Sequence, residues 1–219
     1  AKGTTLLFEH LNQLSENKSQ NMDVFFPPKE KRHNIIAHIR NMFQVEKFVK
    51  ISAKPPVSSV AFSATKSGNG KTSTKTISFN ADETKTIHEN AQKAGSRFGP
   101  TLYLVSCCSH VIHNLNLQRN KPGDLWIPVP YDGRLRGATG PVISNSVSFL
   151  FYRVPKTELN TVPQTVKCLS HQMTEQIKDR IPQKYSMFLN MMRYAPLWLY
   201  YFLIYHTNKG VFASFLYTS

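Results

Sequence analysis

The stretch from Asp124 to Pro155, DLWIPVPYDGRLRGATGPVISNSVSFLFYRVP, constrains this chain more than any other. Leu125 to Pro130 and Val147 to Val154 are apolar runs on either side of a Gly- and Arg-rich loop that ends in Ser144-Asn145-Ser146, which predicts two strands with a basic connection. Pro128 and Pro130 remove backbone donors from the first run, so it belongs at a sheet edge or on a bulge. The second run reads as a strand near the interior. Arg134 and Arg136 lie in the loop. They are two surface arginines, or one of them leaves the strand end to pair with a buried carboxylate across an interface, a task suited to the planar guanidinium fork.

Helical spacing organises most of the remainder. Leu6, Leu7, His10, Leu11 and Leu14 predict a short first helix, and Ile35, Ile36, Ile39, Met42, Phe43 and Phe48 predict a second that Pro55-Pro56 closes. Val57 to Thr65 and Thr72 to Phe79 are rich in β-branched residues and predict a hairpin. Its tip, Gly70-Lys71-Thr72, imitates the end of a phosphate-binding loop. Thr65 stands where that motif needs its first glycine and a strand-like run comes after it, so the resemblance to a nucleotide site fails.

Asn80 and Glu83 have the spacing of a capping box, predicting a helix to Ala94 that stops at Gly95. Gly99-Pro100 primes the next, with Leu102, Val105, Val111, Ile112, Leu115 and Leu117 as buried positions. His110 and His113 fall three apart on it without a third ligand, so they read as packing or polar-face histidines and no metal is expected. Thr161 and Pro163 begin a helix through Ile181 that Pro182 breaks; Tyr185 to Met192 continues helically, and Pro196 restarts an apolar segment. That segment, 195–205, is about half the roughly 20 residues needed to span a bilayer. It is a buried helix, or an aromatic face resting on a membrane or bordering an acyl-chain tunnel. Val211 to Ser219 alternates as a last strand.

Composition sets the outer bounds. Of 219 residues 41% are apolar, enough to bury a core, and 27 basic against 13 acidic residues leave a formal +14 that favours anionic partners. Three cysteines, two of them adjacent, form neither a disulfide framework nor a zinc pattern, which points to a reducing compartment. Ala1 opens directly on Lys-Gly-Thr-Thr without an initiator Met or secretory signal, so the chain reads as cut from something longer.

Several of these motifs, in this order, resemble one family. Ile77-Ser-Phe-Asn-Ala-Asp-Glu83 with its helix, Gly99 to Leu117, Ile127-Pro-Val-Pro-Tyr-Asp-Gly-Arg134, and Ile143-Ser-Asn145 with the strand to Pro155 are similar to the C-terminal half of chloramphenicol acetyltransferase-like acyltransferases. This superfamily includes condensation domains, alcohol acetyltransferases and the wax ester synthase/diacylglycerol acyltransferase group. Phe212 to Ser219 resembles its late strand beside the active-site channel, and Ala1 to Leu7 resembles the residues just past its His-His-x-x-x-Asp-Gly motif.

The resemblance implies an α/β fold, a two-layer sandwich with a mixed β-sheet covered by helices, forming one lobe of a two-lobed enzyme. Residues 1–56 would be a helical lead-in and 57–219 the lobe. The general-base His would precede Ala1, since no His-x-x-x-Asp occurs among the eight histidines, and the chain alone would be inactive. Arg134 would pair with the structural Asp of the other lobe, Asn145 would brace the strand turn, and Tyr217, Thr218 and Ser219 would offer channel or oxyanion contacts. No cofactor would be held permanently. Acyl-coenzyme A or an acyl-carrier thioester would be co-substrate, the N-terminal catalytic lobe the partner, and the location cytoplasmic, with 195–205 a candidate membrane contact. The other reading is a non-catalytic docking lobe or a basic nucleic-acid-binding module, although no RRM, zinc-finger or helix-turn-helix signature supports nucleic acid.

Overall fold

A computed structural model describes residues 35–54, 56–60, 74–132, 147–192, 195–199, 201 and 213–218. The expected helix over 4–15, the hairpin tip, and the loop carrying Arg134, Arg136 and Asn145 lie outside them, as does Ser219.

The described residues combine five long helices with one antiparallel pair of strands, an α/β composition in the broad sense. In chain order they are α1 (Ile35–Ser52), α2 (Ala81–Lys93), α3 (Thr101–Gln118), β1 (Leu125–Asp132), β2 (Val147–Val154), α4 (Val162–Lys178) and α5 (Ile181–Met192), with a 3-10 turn at Lys156–Glu158.

Both strands lie where the apolar runs predict, paired in register from Leu125 opposite Val154 to Asp132 opposite Val147. Strand alternation sends Leu125, Ile127, Val129, Leu150, Tyr152 and Val154 to one face, where Leu102 and Val105 of α3 and Leu169 of α4 complete the main core. Trp126, Phe149 and Phe151 occupy the opposite face with Phe48 and Val49 of α1 and Tyr185 of α5. The Trp126 and Phe151 rings stack there at 5.6 Å and 8°. Tyr185 meets Phe151 edge-on at 4.9 Å, and α1 packs along α5 above them.

The two edges of the strand pair are closed by different means. Along β2, Gln176 of α4 accepts from the Phe151 N–H at 2.9 Å and donates to its carbonyl at 2.8 Å, while Gln172 does the same for Arg153 at 2.9 and 2.6 Å. Since these backbone groups turn away from β1, the Pro128–Phe151 pair is of the non-hydrogen-bonded kind. The ring nitrogen of Pro128 therefore faces the outer edge of β1, where a missing N–H costs no ladder bond, as the edge expectation requires. On that edge Ser214 donates its N–H to the Trp126 carbonyl at 2.8 Å and accepts the Trp126 N–H on its hydroxyl at 2.8 Å.

Helix ends follow local chemistry. Asn80 and Glu83 form the expected capping box on α2, and Thr161 accepts from the Gln164 N–H to start α4. Several expectations need correction. Pro182 does not break the helix begun at Thr161; that helix ends at Lys178, Arg180 takes a left-handed turn at φ 55°, and Pro182 sits in the first turn of α5, where its missing N–H costs nothing. On α3, Val111 and Leu117 are exposed, because the helix buries only the side that meets the strands and α4. The strands expected over 57–65 and 72–79 form no hairpin among the described residues. Val57 makes a single parallel bridge with Asp124, while 74–79 is exposed and outside any strand, since β-branched composition forms a ladder only where a partner edge is free. The last strand is also absent over 213–218, where Ser214 makes local bonds to β1 in its place.

Candidate functional site

The region that the channel expectation addresses is the α3 face of the strand pair and the C-terminal segment laid against it. Ser214 anchors that segment: fully buried, it holds the Trp126 backbone and donates its hydroxyl to the Ser58 carbonyl. Val60 donates its N–H to the Ser214 carbonyl at 3.0 Å, and Ser59 its hydroxyl to the Ala213 carbonyl at 3.1 Å. Around this bend the chain changes face, since Ala213 packs with the Trp126 cluster whereas Phe215 and Tyr217 pack on the main core. Tyr217 is half-buried beside α3. Its phenol is pushed up mainly by burial and further by the Cys108 thiol. Thr218, the next candidate contact, is exposed.

The helix α3 presents most of the titratable groups of this region. Burial pushes the Cys108 thiol up, with Cys107 adding to the effect, and burial also raises the Tyr103 phenol beside Cys107. Cys168 on α4 is likewise raised by burial. All three thiols are free. A thiol held above its ordinary range carries less thiolate at neutral pH and is a weaker nucleophile, which suits a packing role.

His110 is a structural tie. Its Nε2 lies 3.1 Å from the Thr165 hydroxyl, which in turn donates to the Glu158 carbonyl at 2.6 Å. While the Thr165 hydroxyl donates to the Glu158 carbonyl, a protonated Nε2 can donate to the Thr165 oxygen. Burial lowers the His110 imidazole from its ordinary value, keeping it neutral. The chain His110–Thr165–Glu158 fastens α3 to the start of α4. His113 keeps a buried Nδ1 without a hydrogen-bond partner, as does Asn116 at Nδ2, three residues along α3. Among the described residues no group of three or more His, Cys, Asp or Glu is placed to hold a metal ion.

A partly buried carboxylate partner for an arginine does occur, at a position that sequence reasoning passed over. Arg153 of β2 donates to Asp124 through Nε at 3.2 Å and Nη2 at 2.7 Å, and its Nη1 reaches the carbonyls of Ser52 and Lys54 at 3.0 and 2.6 Å. The other Asp124 oxygen accepts the Lys156 N–H at 3.1 Å. One guanidinium thus closes the carboxyl end of α1 onto the start of β1, a use of the cation that also complements the helix dipole. Its only sequence signal is an arginine inside an otherwise apolar strand. Gln172 and Gln176 were equally silent, although their spacing of four on one amphipathic helix places both on the same side.

The structure therefore brings Tyr217 and Cys108 together, leaves Thr218 at the surface, and does not describe Arg134, Asn145 or Ser219. No helix among the described residues is long and apolar enough to cross a membrane. Compared with protein-family models, curated proteins and solved structures, the chain finds no match.

Proposed function

We propose that this chain is the C-terminal lobe of an acyltransferase that moves an acyl group from a thioester, on coenzyme A or a carrier protein, to an alcohol or amine. The observation that carries the reading is the C-terminal segment strapped by Ser214 to the edge of β1, which sets Tyr217 on the sheet beside α3. The family resemblance implies a late strand beside the active-site channel at this point of the chain, although 213–218 form no strand here. The finer architecture belonging to this reading is a two-layer sandwich with a mixed sheet covered by helices. In this reading Arg134 holds the structural Asp of the catalytic lobe, Asn145 braces the turn into β2, and Tyr217, Thr218 and Ser219 border the channel.

Transfer would be direct, from thioester to acceptor, with the base supplied by the N-terminal lobe. The raised thiols of Cys108 and Cys168, and the engagement of His110 Nε2 with Thr165, support leaving these groups out of the chemistry. Contact with a membrane surface through 195–205, on a cytoplasmic protein, belongs to the same reading and is supported by Leu197 and Trp198, which are 69% and 68% exposed. The experiment is release of free thiol from a panel of acyl-coenzyme A and acyl-carrier thioesters with alcohol and amine acceptors. Acceptor-dependent release by the two-lobed protein and none by this chain alone is expected. No release by the two-lobed protein would leave the docking-lobe reading.

A further inference from the structure

The turn between α2 and α3 encloses a pocket that the acyl-transfer reading does not use. Its volume is about 220 Å³, and His88, Gln92, Ser96, Arg97 and Gly99 line it together with Ala91. The lining contains no Asp or Glu, while it includes a guanidinium, an imidazole and a carboxamide, all on exposed residues. No ion pair or hydrogen bond engages the Arg97 side chain among the described residues.

The pocket is rigidly built. Gly95, at φ 87°, ends α2 by donating its N–H to the Gln92 carbonyl at 2.9 Å, and Ser96 donates to the Ala91 carbonyl at 2.9 Å. These bonds cover carbonyls at the negative end of α2 that would otherwise repel an anion. Ser96, 2% exposed, donates its hydroxyl to the Gly99 carbonyl at 2.6 Å and fixes the loop between them. At Gly99 the space where a side chain would start is open, so the wall of the pocket stays low there.

We propose that this pocket binds a dianionic phosphate group carried on a small organic molecule. Arg97 would meet two phosphate oxygens through its fork, and His88 and Gln92 would donate to the others. The volume holds a phosphate and the start of the group esterified to it. The chain's formal +14 raises the local concentration of such anions.

The test is an amide NMR titration of the 219-residue chain with inorganic phosphate at low ionic strength, against chloride at equal ionic strength. Saturable shifts confined to the pocket-forming stretch His88 through Gly99 are expected, with binding weakened about tenfold in Arg97→Ala and abolished in Arg97→Glu. Unchanged amide positions elsewhere would show that both variants are folded. Absent or scattered shifts, or saturation unaffected by Arg97→Glu, would overturn the site. A second arm, resting on the acyl-thioester reading, compares coenzyme A with its dephospho form. Tighter binding of coenzyme A that Arg97→Glu removes makes its phosphate monoester the source. Equal binding of the two, with inorganic phosphate still bound, keeps the pocket and rejects coenzyme A as its ligand.

Discussion

Gln176 closes both free backbone groups of Phe151 with one carboxamide, at 2.9 and 2.8 Å, and Gln172 repeats the arrangement on Arg153. The repeat works because four residues of helix rise about 6 Å, close to the roughly 6.6 Å spanned by two residues of strand. A helix thus takes the place of a third strand and protects the edge of β2 from pairing with another chain.

Gln176 is 3% exposed, so Gln176→Ala strands a buried N–H and a buried carbonyl and should destabilise the fold by about 2–6 kcal/mol, given ~1–3 kcal/mol for each unpaired group. Gln172→Ala should cost less, since its surroundings are only half-buried. Urea denaturation of the two variants gives the ranking.

Arg153→Lys should not rescue Arg153→Ala. The lysine ammonium cannot reach Asp124 and the Ser52 and Lys54 carbonyls together as the guanidinium does. Both side chains of the ion pair are about a quarter exposed, so a loss of about 1–2 kcal/mol is expected, below the range for fully buried pairs. Hydrogen exchange should locate it: the Ala53 amide, bonded to Val49 at 2.8 Å, should exchange faster in both variants.

The pH dependence of stability should carry a His110 component of defined sign. The folded imidazole is lowered below 6.5, so the unfolded chain binds more protons beneath that value. Its contribution is complete above pH 6.5 and is lost as pH falls from there through the folded value. His110→Gln should flatten that part of the profile in thermal melts across a pH series.

Cys108 and Cys168 should alkylate slowly at neutral pH, with rates that go on rising above the ordinary thiol value of 9.0, because burial raises both. Mass-spectrometric mapping with iodoacetamide reads each site. Fast modification of either at pH 7 would return that thiol to consideration as a nucleophile.

Legibility in the sequence tracked the range of the interactions. The capping pair Asn80 and Glu83, the helix start at Thr161 and Pro163, and the helix stop at Gly95 depend on residues within a few positions of one another, and each was readable from the local sequence. The strands at Leu125 and Val147 were readable as apolar runs, because both faces of the pair are covered. What escaped was long-range: Gln176 finds Phe151 across 25 residues, and Ser214 finds Trp126 across 88. No local pattern marks such pairs. The segment 74–79 misled for the converse reason, having strand-forming composition without a strand partner. Pro182 misled because proline stops one helix and starts the next with equal ease, and the deciding residue was Arg180.

The central claim is that this lobe completes an acyl-transfer site from the outside, with Arg134 bracing the catalytic loop of the other lobe. The direct measurement is the steady-state rate of acceptor-dependent thioester cleavage by the two-lobed protein, with Arg134 intact and as Arg134→Ala. The account predicts turnover in the first and a fall in kcat on the order of a hundredfold in the second, as expected when catalytic groups are misplaced. An unaltered kcat in Arg134→Ala would contradict it.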